Sequence, residues 1–248
     1  MHLGQWLSSL RLSRIYAAYD DCVIEPSHFY EILQCCTDRF DRGVQEDAHE
    51  FLSYLLDSIH EDLNRVKFGD EIVTPEKLQT IHETVSEAEE TSKAAWRNHL
   101  LKNKSIIVDL FQGQVKSTLA CQACKLEYDS FDPVMYWSLP FPQDGMNENK
   151  VFTLEELLRE YSKVEKLDDK VECEKCNQKE YFTKKLDFWK APNILILHLK
   201  RFTFSQNQAR KINNLVTFKT DEIEISEFTP GYQKEDPRYK LFAVVVYL

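Results

Sequence analysis

Two cysteine pairs constrain this chain more than any other feature: Cys121-Gln122-Ala123-Cys124 and Cys173-Glu174-Lys175-Cys176. A two-residue gap lets both thiolates of a pair point at one centre, and two such knuckles complete a tetrahedral four-sulfur site suited to zinc. Each pair is followed by a polar stretch and a β-rich run. These runs are Leu126-Glu127-Tyr128-Asp129-Ser130-Phe131 and Tyr181-Phe182-Thr183-Lys184-Lys185-Leu186. The expectation is a knuckle at the tip of each of two hairpins, pinned by one ion. A disulfide framework and four unrelated buried thiols are the competing readings. The seven cysteines are an odd number and no signal peptide is read, which weighs against disulfides. A closed four-cysteine site keeps no open position, so this zinc holds a shape and performs no chemistry.

At 248 residues the chain can bury a substantial core as one domain. No apolar run approaches the ~20 residues of a membrane span. Lys and Arg total 31 against 41 Asp and Glu, a formal charge of −10. That balance argues against a nucleic-acid binder and favours a basic partner. The stretch 143–150 reads as a loop.

In chain order, apolar spacing at Leu3, Trp6, Leu7, Leu10 and Tyr16 predicts a first helix over 1–19. A second is predicted over 27–36 from Phe29, Ile32, Leu33 and Cys36, with Cys35 and Cys36 as buried packing residues. A third is better marked. Ala48, Phe51, Leu52, Leu55, Leu56, Ile59 and Leu63 follow the helical period, and Asp47 with Glu50 fits a capping pair. No second histidine follows His49-Glu50 at metalloprotease spacing, and His49 and His60 are assigned to the solvated face.

Residues 75–104 read as surface helix, with Trp96, His99 and Leu100 marking a packed edge. From Ser105 a β-rich region is expected, beginning with Ile106-Ile107-Val108 and continuing through 115–120 and 131–141. Thr153 with Glu156 predicts the cap of another helix. The apolar run Ile194-Leu195-Ile196-Leu197-His198-Leu199 reads as a central strand covered on both faces, with His198 buried and bonded to backbone. Further short strands are expected over 211–218 and 221–226, and a last one over 239–248.

These motifs, in this order, resemble the ubiquitin-specific proteases. Gln45-Glu46-Asp47-Ala48-His49-Glu50-Phe51-Leu52 is similar to that family's second signature box. Phe111-Gln112-Gly113, Ser117, the Cys121 knuckle and Ser138-Leu139-Pro140 are similar to the next. The Cys173 knuckle, Lys184-Lys185-Leu186, Pro192 and His198-Leu199-Lys200-Arg201-Phe202 are similar to the one after. The resemblance implies an α+β, papain-like fold built as a right hand. Residues 1–110 would supply thumb helices, 111–190 the zinc-tipped fingers and 191–248 part of the palm sheet. It also implies a thiol-dependent hydrolysis that frees ubiquitin from conjugates, with ubiquitin and ubiquitinated proteins as partners, and no membrane or nucleic acid. The compartment implied is intracellular, cytoplasmic or nuclear. Gln45, Asp47 and Glu50 would meet ubiquitin's basic C-terminal tail, because carboxylates pair with Arg through two parallel hydrogen bonds.

The chain also departs from that pattern. The family's nucleophile sits in a Gly-Asn-x-Cys segment, and no Gly-Asn dipeptide occurs here. Cys35 and Cys36 stand too close to the Gln45 box for that role. The family's base comes from a Gly-His-Tyr segment, and no histidine follows His198. The polypeptide therefore reads as the middle of such a domain, with no catalytic residue assigned. Two functions stay open: part of a deubiquitinase, or a non-catalytic ubiquitin-binding or scaffolding form. A zinc-dependent interaction module unrelated to ubiquitin would leave the Gln45 box unexplained.

Overall fold

A computed structural model describes residues 27–40, 47–66, 85–142, 147, 149–205, 208–229 and 237–245. The helix expected over 1–19 lies outside them, as do Gln45 and most of the 143–150 loop. The fold is α+β. Its helices are α1 (Ser27–Cys36), α2 (Ala48–Leu63), α3 (Val85–Leu100), α4 (Ile106–Phe111) and α5 (Leu154–Tyr161).

The main sheet is built from β1 (Gly113–Cys121), β2 (Glu127–Val134), β5 (Glu165–Lys166) and β8 (Phe182–Lys190), in the order β2-β1-β8-β5. All neighbours are antiparallel, and β1 is paired along its length on both sides. Gly113 opens β1 where a Cβ would collide with the Lys190 carbonyl oxygen, so only glycine allows the strands to cross so closely. A register shift follows between Gln114 and Val115. Pro133 sits on β2, the edge strand, where a missing N–H is tolerated. Helix α3 lies against β2, with Ala88 packed on Phe131 and Trp189. The amide of buried Gln114 clasps Ser92 by two bonds: Ser92 Oγ donates to Oε1 at 2.6 Å, and Nε2 donates to the Ser92 carbonyl at 3.2 Å.

The remaining strands are short. They are β3 (Trp137–Leu139), β4 (Phe152–Thr153), β6 (Val171–Cys173), β7 (Gln178–Glu180), β9 (Leu197–Leu199), β10 (Phe202–Ser205), β11 (Gln208–Lys211), β12 (Val216–Thr217), β13 (Ile223–Glu224) and β14 (Arg238–Tyr239). Pairs β3–β9 and β4–β12 are parallel; β6–β7, β10–β11 and β13–β14 are antiparallel. The core joins both regions. Phe188 of β8 stacks on Trp137 at 3.6 Å and on Tyr161 at 4.6 Å, while α5 buries Leu154, Leu157 and Leu158 into the same cluster. Burial pushes the Tyr161 phenol up to about 12.

Thr153 caps α5 as expected, with the Glu156 carboxylate returning a bond to the Thr153 N–H at 2.7 Å. Elsewhere the structure corrects local readings. Ile106-Ile107-Val108 is helical, because Ser105 caps α4 by accepting from the Val108 N–H. Cys35 and Cys36 are exposed, and Leu33 carries the buried side of α1. The run from Ile194 forms only the three-residue β9, half-buried. The Ile194 N–H is taken by the Leu110 carbonyl, and a tight turn from Leu199 to Arg201 ends the strand. The last strand, β14, stops at Tyr239.

Candidate functional site

Strand β1 ends at Cys121, and strands β6 and β7 form the hairpin that begins its turn at Cys173. In each knuckle the residue after the second cysteine adopts a positive φ, 60° at Lys125 and 51° at Asn177. Its N–H returns to the carbonyl of the first cysteine, at 3.0 Å for Lys125 and 2.8 Å for Asn177. Both loops therefore take the same turn and aim their sulfurs inward. The four Sγ atoms lie within 4.8 Å of one another. Cys121 and Cys176 are 3.9 Å apart, and Cys124 and Cys173 are 3.6 Å apart. Four sulfurs around zinc at ~2.3 Å would be spaced by roughly 3.8 Å, so the donor set fits the ion, whereas a disulfide would need about 2 Å. Phe182 and Tyr128 pack beside the cluster and shield it. Backbone N–H groups, first that of Cys176, hold the Cys173 thiol down to about 7, while the neighbouring thiols push Cys176 up. The cluster is a structural zinc site with no open position for substrate.

The second candidate surface is the start of α2. Asp47 caps the helix: its Oδ1 accepts from the N–H groups of His49 at 2.7 Å and Glu50 at 3.3 Å. Glu50 follows in the first turn, exposed, so two carboxylates stand at the positive end of the helix. Both Asp47 bonds use one oxygen, which leaves acceptor capacity on the other. Gln45 lies outside the described residues.

Against the assignment of both histidines of α2 to the solvated face, His60 is buried and His49 half-buried. His60 is 6% exposed; its Nδ1 lies 2.7 Å from Ser105 Oγ and its Nε2 lies 3.2 Å from Asn103 Oδ1. The chain of bonds runs on from Asn103 Nδ2 to His99 Nδ1 at 3.2 Å, and from His99 Nε2 to Gln112 Oε1 at 2.6 Å. It ties α2, α3 and α4 together. Burial lowers His99, against the opposing bond to Gln112.

His49 lies flat against His198, with ring centroids 3.9 Å apart and planes 8° from parallel, and edge-on to Tyr136 at 4.1 Å. His198 bonds through Nδ1 to Ser138 Oγ at 2.9 Å, a side-chain partner in place of the expected backbone one. Burial, then the neighbouring His49, lowers His198 to about 4. Burial also lowers His49, opposed by Asp47 and Glu50. Both rings are therefore neutral at pH 7. Sequence reasoning missed this pair because its members come from different elements, each read by its own periodicity.

The family model described as ubiquitin carboxyl-terminal hydrolase matches residues 5–248. The chain belongs to this family. Among curated relatives, ubiquitin carboxyl-terminal hydrolase 2 of Gallus gallus is 35% identical over 223 residues, covering 89% of this chain and 60% of that protein. The Homo sapiens protein of that name is 33% identical, covering 94% of this chain and 37% of its own length. Ubiquitin carboxyl-terminal hydrolase 21 of Rattus norvegicus is 31% identical, covering 91% and 42%. The chain thus spans between 37% and 60% of the length of those relatives. Two solved structures share its fold. One is the SAGA Ubp8/Sgf11/Sus1/Sgf73 DUB module bound to ubiquitin aldehyde, with a TM-score of 0.52 and 23% identity over 79% of this chain and 37% of that one. The other is a yeast SAGA DUBm with a mutant Sgf73, with a TM-score of 0.58 and 24% identity over 88% and 42%. No helix among the described residues is long and apolar enough to cross a membrane.

Proposed function

We propose that the protein carrying this chain is a thiol-dependent deubiquitinase. In this reading the chain supplies the ubiquitin-holding part: thumb helices over 1–110, zinc-held fingers over 111–190 and palm strands over 191–248. Ubiquitin is the partner, and the cell interior, cytoplasmic or nuclear, is where such a partner is met. The observation that carries the reading is the family match over residues 5–248, joined to the acidic start of α2. Asp47 and Glu50 offer carboxylates to the basic tail of ubiquitin, with Gln45 assigned to the same contact from its place in the motif. The capping bonds of Asp47 support this role, since they fix the carboxylate before any partner arrives and reduce the ordering cost of binding.

Cleavage requires a thiolate beside an imidazole. Among the described residues no cysteine sulfur is hydrogen-bonded to a histidine; the histidine rings bond to Ser138, Ser105, Asn103 and Gln112. The 248-residue polypeptide on its own is expected to bind ubiquitin without hydrolysing it. A titration of monoubiquitin against wild type, Asp47→Ala and Glu50→Ala tests the contact. Weakening of roughly tenfold in either variant supports it, and unchanged affinity in both, with helix content intact, leaves only the capping role. An electrophilic ubiquitin probe tests the chemistry: covalent labelling lost on substituting Cys22, Cys35 or Cys36 overturns the second half of the proposal.

A further inference from the structure

The His49–His198 stack joins two parts of the fold that share no strand pairing. His49 lies in the first turn of α2, two residues after Asp47 and one before Glu50. His198 is the middle residue of β9, opposite Ser138 of β3 in the parallel pair. The Ser138 hydroxyl fixes the orientation of the His198 ring, and the Tyr136 ring closes the edge of His49. Nε2 of His49 is buried with no hydrogen-bond partner among the described residues. A bare lone pair is tolerable there, but a protonated nitrogen would be an unsatisfied buried donor next to a second imidazole. The geometry therefore holds only while both rings are neutral.

We propose that His49 and His198 are positioning residues, whose face-to-face contact, oriented by Ser138, sets the Asp47–Glu50 end of α2 against strands β3 and β9. The inference rests on the reading that these carboxylates meet the tail of ubiquitin. It adds that the tail contact is gated by the protonation of this histidine pair.

The charged and titratable groups around the pair are few. Asp47 and Glu50, on α2 itself, favour a proton on His49. At His198 the neighbouring His49 opposes a proton, Asp47 favours one, and Lys200 just after β9 opposes it. Ser138 of β3 and Tyr136 just before it complete the surroundings of the pair. Burial outweighs the carboxylates at both rings. A histidine held below its free value of 6.5 takes up a proton more readily once undocked. The contact is therefore at full strength above about pH 6.5, weakens as pH falls, and is lost toward pH 4.

The test uses the zinc-loaded full-length protein, with monoubiquitin and ubiquitin lacking its C-terminal tail as probes. Wild-type affinity for monoubiquitin is expected to fall roughly tenfold from pH 7 to pH 4.5, while the weaker binding of tail-less ubiquitin stays flat. His198→Phe keeps a ring on the stack and cannot take a proton, so it is expected to bind at pH 7 within about twofold of wild type and to lose most of the pH slope. His49→Phe should do the same from the other side, and His198→Ala should weaken tail binding already at pH 7. A wild-type slope retained in both Phe variants overturns the proposal. Histidine ring resonances supply a readout independent of ubiquitin: both rings are expected to titrate below 6.5 in wild type, and His198→Ala to return His49 toward that value. Normal titration of both rings in wild type also overturns it. If monoubiquitin does not bind wild type at any pH, the ubiquitin reading fails, and the ring titrations alone decide whether the pair is coupled.

Discussion

The knuckle sheet and the cluster of short strand pairs are held in different ways. In the sheet β2-β1-β8-β5, β1 is bonded on both sides over nearly all of its nine residues, so backbone pairing defines the register. Its far end, where the β6–β7 hairpin joins, has little core: Cys121, Cys173 and Phe182 are the buried members of that cluster. Four thiolates on one ion replace the missing apolar burial. Around β3, β4 and β9–β14 the ladders are two to four residues long, too short to specify themselves. Side chains bonded to backbone do that work. Arg201 Nη1 donates to the carbonyls of Ile212 at 3.0 Å and Asn214 at 2.8 Å, and Asn214 Nδ2 donates to those of Asn147 at 2.7 Å and Lys150 at 2.8 Å. The Tyr239 hydroxyl reaches the Pro192 carbonyl. A metal braces the one region and long-range polar side chains brace the other.

The sharpest way to break this contrast is Cys173→Ser, which removes one of four zinc ligands. Zinc binding at such a site is itself folding free energy. Scanning calorimetry should show the midpoint fall by roughly 10 °C or more, with zinc stoichiometry dropping from one per chain. Full zinc occupancy with an unchanged midpoint would show that the metal does not brace the sheet.

Asn214→Ala should come next. Asn214 is 7% exposed and both of its amide bonds end on carbonyls across the chain, so the loss is expected at about 2 kcal/mol by urea unfolding. Zinc content should stay at one per chain. A loss of zinc in this variant would mean the two regions are not independently braced.

Thr153→Ala is the smallest of the series, at about 1 kcal/mol, because it removes one side of the capping box where α5 meets β4. Glu156→Gln keeps a reciprocal acceptor and should cost less. Equal losses in the two variants would count against the capping account.

What could be read from the sequence follows the same division. The zinc site was legible because its information is local: two-residue spacings followed by β-rich runs state both the ligands and the hairpins that carry them. Asp47 as a cap was legible for the same reason. The Ser105 helix was not, since three β-branched residues at 106–108 read as strand until the cap is seen to compete. His60 was assigned to water because the wheel of α2 shows only that helix; Ser105 and Asn103 arrive on the same face from α4 and the α3–α4 connection. The run from Ile194 carried a strand pattern, but Leu110 takes its first N–H and the turn at Lys200 cuts it short. In each case the missing information was a contact between elements far apart in the chain.

Hydrogen exchange, with and without a chelator, tests the two-brace account most directly. The Lys125 and Asn177 amides, bonded to Cys121 and Cys173 in the knuckles, should lose protection when zinc is removed. The Ile212 and Phe152 amides, bonded to Arg201 and Leu215, should keep theirs. Loss at all four would mean that the metal holds the whole fold, and retention at all four would mean that it holds none of it; either result contradicts the account.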